Sequence, residues 1–176
     1  MRPLYRLLLP CLAAASLLAA CGGGITIGYF DDGDEDFFDL RTYPSGRRTS
    51  LVVDAATDPA LVGAYSATDT WVSLVNYFSD PPTCVFRFDG VFDAGGSREM
   101  WGEIQYWSGS NSVRRAFIGV DDQAFRLDDG TAAVVDRVLD AVLFDGAVLT
   151  STEGSARTIT LSGRVPMRRD GKPGGC

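Results

Sequence analysis

Hydrophobic and polar positions alternate most clearly over residues 84–93. Cys84, Phe86, Phe88, Gly90 and Phe92 fall on one face at a period of two, with Arg87 and Asp89 on the other. That pattern predicts a half-buried β-strand. The turn residues Ala94-Gly95-Gly96-Ser97 follow, and a second alternating run occupies residues 98–107. There Met100, Gly102, Ile104 and Tyr106 make one face, and Trp101, Glu103, Gln105 and Trp107 the other. Ser108-Gly109-Ser110-Asn111 turns the chain again, and strands are expected over 112–120 and 123–128. Residues 157–165 alternate cleanly, with Ile159, Leu161, Gly163 and Val165 inward and Thr158, Thr160, Ser162 and Arg164 outward.

Earlier, residues 51–54 and 61–66 are short strand candidates and 70–78 a longer one. Asp80-Pro81-Pro82 stops the last, because proline cannot feed a central ladder. Residues 131–146 read two ways. Val134, Val135, Val138, Leu139, Val142 and Leu143 sit at helical spacing, but four of the six are Val, which suits strands better. The expectation is a helical turn at most near Asp136–Asp140, then a strand from about Val142 to Ser151.

Together these elements predict an all-β, mainly antiparallel domain of seven to nine short strands. The architecture is either a small up-and-down barrel or a sandwich, with at most one short helix besides the leader. The expected organisation is a leader over 1–20, a flexible acidic tether over 21–50, the β domain over 51–167, and a C-terminal arm over 168–176.

The leader expectation rests on Arg2 and Arg6 followed by an uncharged run from Leu7 to Ala20. Fourteen residues rise about 21 Å as a helix, short of the roughly 30 Å hydrocarbon core. The run ends in Leu18-Ala19-Ala20-Cys21, which resembles, position by position, the lipobox read by bacterial lipoprotein signal peptidase. The resemblance covers only the leader. It implies cleavage before Cys21 and a covalent lipid on that residue, and so a membrane partner through the anchor. Gly22, where such proteins carry Asp for inner-membrane retention, implies the outer membrane, facing the periplasm or the surface. The other reading is an ordinary secretory signal with Cys21 left as a free thiol.

From Cys21 onward the chain carries 23 acids against 14 bases, so that part is strongly acidic. That argues against a nucleic-acid partner. Five acids fall in Asp31-Asp32-Gly33-Asp34-Glu35-Asp36 without the spacing of a calcium loop, so the run reads as solvated spacer. The chain has no His, which removes the usual triad base and the commonest zinc ligand. Cys11 leaves with the leader and Cys21 takes the lipid. Cys84 and Cys176 then remain as a pair in an oxidising compartment and are expected to bond.

No catalytic residues, metal site or cofactor are expected, apart from the lipid on Cys21. Glu99 and Glu103 would lie about 13 Å apart along one strand face, too far for paired acid–base work. Asp121-Asp122 falls in a turn, and Arg114-Arg115 is expected to point to opposite strand faces. The candidate binding surface is Trp101, Glu103, Gln105 and Trp107, two Trp flanking two polar side chains. Trp offers large contact area and an N–H donor. The alternative is that both Trp pack under loops or across strands. The functional expectation is a non-enzymatic binding or structural protein acting on a protein partner or envelope component. Rival readings are a lipocalin-like carrier, its interior lined by Phe86, Phe88 and Phe92, and an enzyme of unrecognised type.

Overall fold

The computed structural model describes residues 41–127, 130–154 and 156–176. The lipobox, Cys21 and the acidic run lie outside the described residues. Twelve strand segments follow one another: β1 (Thr42–Pro44), β2 (Thr49–Ala56), β3 (Gly63–Ala67), β4 (Trp71–Ser73), β5 (Asn76–Ser79), β6 (Pro82–Asp93), β7 (Glu99–Trp107), β8 (Ser112–Val120), β9 (Gln123–Leu127), β10 (Gly130–Asp136), β11 (Ala141–Ser151) and β12 (Thr158–Pro166).

Several segments share a stave. β3, β4 and β5 pair successively along one edge of β6, and β9 and β10 succeed each other along β8. β1 and β2 likewise run along β4 and β3. Every pairing is antiparallel, β6 meets β7, and β12 returns to β2, so eight staves close into a barrel with the extra segments at its margin. Neighbours in space are neighbours in the chain. This is the up-and-down barrel, and the sandwich alternative is excluded by closure.

An eight-stranded barrel is just wide enough for side chains to fill it. Thirty buried residues form one continuous core, among them Leu51, Phe86, Phe88, Met100, Ile104, Phe125, Leu149 and Leu161. Outward positions on β12 are Thr158, Thr160, Ser162 and Arg164, none of them apolar. On this strand the apolar positions face the core and the polar ones face out. Gly102 shows how large and small residues interlock. A Cβ there would stand 2.5 Å from Phe88 Cε1 and 2.7 Å from the Phe117 carbonyl, so only Gly lets the Phe88 ring lie across β7.

One barrel end is closed by the short 3-10 turn Pro59–Leu61. Asp58 caps it by accepting from the Ala60 N–H at 3.0 Å. Leu61 is buried, and its carbonyl accepts from the Tyr65 hydroxyl at 3.0 Å. The tail covers the other end. Cys84, facing inward, is disulfide-bonded to Cys176 with Cα atoms 5.8 Å apart. Tyr106 donates its hydroxyl to the Cys176 main-chain oxygen at 3.2 Å, and Arg137 donates to the same oxygen at 3.1 Å. Burial pushes the Tyr106 phenol up to about 12, against a lowering by Arg137. Lys172 and Arg169 both pair with Asp140, strapping the tail to the β10–β11 turn.

Five expectations need correction. The fold begins before Leu51: β1 lies inside the expected tether, held by pairing with β4 and by Thr42 Oγ1 donating to Asp89 at 2.8 Å. The run 70–78 is split into β4 and β5. Residues 131–136 belong to a strand, because β8 and β11 offer ladders on both edges; a turn with Asp140 at φ 47° replaces the helical turn. The register of β6 against β7 shifts between Phe88 and Val91, where Gly90 has φ 71°. The shift turns Val91 inward at 0% exposure and Phe92 outward at 41%, so Phe92 does not line the interior. Finally, β8 bulges at Arg114, since Gln105 pairs with Arg115 but Tyr106 with Val113. Both arginines therefore reach the outer face.

Candidate functional site

β7 presents Trp101, Glu103, Gln105 and Trp107 outward, because Met100, Ile104 and Tyr106 fill the interior at the alternate positions. The four do not act alike. The Trp101 indole covers Gly119 on β8, where a Cβ would fall 2.0 Å from its Cε2. Its Nε1 reaches the Asp121 carbonyl at 3.5 Å. Trp101 thus fills the place of a missing side chain. Glu103 is only 7% exposed; it binds Arg87 Nε at 2.9 Å and accepts from Gln105 Nε2 at 3.0 Å. Removing Arg87 alone would be costly, since it would leave the buried Glu103 charge without its partner.

Trp107 differs. It is 38% exposed at the end of β7, opposite Thr83 of β6. The Arg114 guanidinium lies 5.0 Å from its ring centroid, within cation–π range. Arg114 also donates to Thr83 Oγ1 at 3.3 Å, and Thr83 donates in turn to the Pro81 carbonyl at 2.9 Å.

Beside Trp107 lies a cleft of about 180 Å³ lined by Phe78, Asp80, Pro81, Thr83, Val85, Gln105 and Arg114. The β5–β6 hairpin supplies one wall, and β7 and the β8 bulge the other. Val85 forms part of its floor and is 6% exposed although it faces outward. Asn76, paired with Val85, has a buried side-chain amide nitrogen with no hydrogen-bond partner. Buried donors are rarely left so, but Asn76 is not among the residues that line the cleft.

Of the expected surface, then, Gln105 and Trp107 belong to this cleft and its edge, Glu103 fixes Gln105, and Trp101 stands apart. Phe78, Asp80, Thr83 and Arg114 were not expected there. One signal for Arg114 is in the sequence: Val113 and Ala116 are both inward but three apart, a spacing that requires an extra residue in the strand.

The carboxylates considered for acid–base work have structural partners. Glu99 accepts the Gly90 N–H at 3.0 Å, and Asp121, at φ 52° in the β8–β9 turn, accepts the Glu99 N–H at 3.2 Å. Among the described residues, no group of three or more Cys, Asp and Glu is gathered to hold a metal ion.

The fold and this surface define a closed, filled β-barrel with a small mixed polar and apolar cleft on its outer wall. No family model, curated protein or solved structure matches the chain.

Proposed function

We propose that this is an outer-membrane lipoprotein, held by a lipid on Cys21, whose barrel is a non-enzymatic binding module for a protein partner or envelope component. The anchor rests on Leu18-Ala19-Ala20-Cys21 and the charged, apolar leader before it. The binding role rests on one observation: Trp107, 38% exposed, is braced by Arg114 at the edge of a cleft carried by paired strands. An exposed Trp on a rigid element is the residue type that most often anchors an interface. The core of thirty packed side chains favours this reading over a carrier, whose ligand would need that space.

The test is site-specific photo-crosslinking in intact envelopes. A crosslinker at position 107 captures a discrete component, and one at Thr160, on the outer face of β12, does not. Equal yields at the two positions would reject the binding face.

A further inference from the structure

The cleft beside Trp107 carries chemistry more specific than an aromatic surface. Its volume, about 180 Å³, lies below the roughly 300–1,000 Å³ of pockets that enclose drug-sized ligands. It is well above the ~30 Å³ share of one water. It therefore takes one ring, with the remainder of a longer ligand outside.

The polar groups around it are mixed. Asp80 brings a carboxylate that can only accept when ionised. Arg114 brings a guanidinium of five donors, and the only described hydrogen bond it makes is to Thr83. Gln105 spends one N–H on Glu103. Its side-chain carbonyl is the group it offers as an acceptor. One anion and one cation leave the cleft near neutrality. A purely anionic ligand would face Asp80, and a purely cationic one Arg114. A ligand whose neighbouring groups each donate and accept suits all three.

We propose that this cleft binds a neutral pyranose ring, a hexose or hexosamine unit of an envelope glycan. Vicinal hydroxyls donate to Asp80 and Gln105 and accept from Arg114. The apolar C–H face of the ring lies against Phe78, with Trp107 beside it behind the Arg114 guanidinium. The Arg114–Trp107 contact fixes the guanidinium before the ligand arrives, which lowers the ordering cost of binding. This assignment rests on the reading of the Trp107 face as the binding surface and names its ligand class.

The chain has three Trp, so a ¹⁵N-labelled full chain carrying Cys21→Ser gives three indole N–H signals. The probes are maltotetraose, the N-acetylglucosamine tetramer and an Asp/Glu tetrapeptide, each at millimolar concentration. The expected result is a saturable shift of the Trp107 signal with at least one saccharide, with Trp71 and Trp101 unmoved. Asp80→Asn and Gln105→Ala weaken that binding by roughly tenfold, the effect of one good hydrogen bond. Their unchanged Trp71 and Trp101 signals show that the barrel remains folded. No Trp107 shift with either saccharide, or a shift only with the acidic peptide, overturns the proposal. If Trp107 also crosslinks a protein in the envelope, the glycan assignment alone has failed; if position 107 captures nothing, the binding face has failed with it.

Discussion

Cys84 and Cys176 are joined across 92 residues of chain, linking an inward residue of β6 to the tail that covers the same barrel end. The bond fixes the tail where Tyr106 and Arg137 can hold the Cys176 main-chain oxygen. In the chain-entropy model, a loop of that length stabilises by roughly 4–5 kcal/mol. The double variant Cys84→Ser/Cys176→Ser is expected to lose about that much in urea unfolding. A loss below about 1 kcal/mol would mean that the tail is held by its polar contacts alone.

Tyr106 makes the alkaline limb of stability predictable. Its phenol is pushed up to about 12 in the fold, from an ordinary value of 10.0. Below the ordinary value both states are neutral, and the full stability is present. As pH rises from there toward 12, the unfolded chain ionises first and stability falls, by roughly 2–3 kcal/mol over the window. Burial moves Tyr65 in the same direction, adding to the slope. Tyr106→Phe should flatten that limb, at the cost of about 1 kcal/mol at neutral pH for the bond to Cys176. An unchanged slope in pH-dependent thermal melts would contradict this.

Two carboxylates should mark the acid limb with opposite signs. Asp93 is held below the ordinary carboxylate range by backbone N–H groups of Arg98 and Ser97. It stabilises the fold above that range, and its contribution is lost as pH falls. Burial raises Asp89, against the bond from Thr42, so its contribution is present at low pH and lost as pH rises. Asp93→Asn is expected to reduce acid sensitivity and Asp89→Asn to relieve a cost at neutral pH. Acid titration of unfolding midpoints compares them; shifts of one sign would refute the assignment.

Two glycines carry different loads. Gly102→Ala forces a Cβ against Phe88 and the Phe117 carbonyl inside the wall, and should cost about 1–3 kcal/mol. Gly119→Ala meets only the Trp101 indole, on the outer face, which can swing away. It should cost less and alter Trp101 fluorescence. Equal losses from the two would contradict the packing described here.

The two Trp of β7 should likewise separate. Trp107→Ala is expected to cost about 1 kcal/mol, chiefly the lost contact with Arg114. Trp101→Ala uncovers Gly119 and is expected to cost more, read by thermal unfolding of each single variant. A larger loss at 107 than at 101 would place Trp107 in the fold rather than in a site.

Much of the barrel was legible because period two persists through β7 and β12 without interruption. The faces of β7 follow from that alone. What the pattern missed are the places where an extra residue slips the period: Gly90 in β6 and Arg114 in β8. One slip exchanges Phe92 for Val91 in the core, and the other puts Arg114 beside Trp107. Residues 131–136 resembled a helix because Val spacing fits both periods; pairing with β8 and β11 decides for a strand. β1 has no alternation to read, and its partner β4 holds it. The cleft could not be read as a whole, since Phe78, Gln105 and Arg114 meet only once β5, β6, β7 and β8 are in register.

Tryptophan oxidation footprinting, in intact envelopes and on the purified chain, tests the proposed binding face most directly. Trp107 and Trp71 are both exposed, at 38% and 46%, but it is Trp107 that packs against Arg114, a residue lining the cleft. The account predicts that Trp107 is oxidised several-fold more slowly in the envelope than in the purified chain, with Trp71 unchanged. Equal rates for Trp107 in both settings, or protection of Trp71 instead, would contradict it.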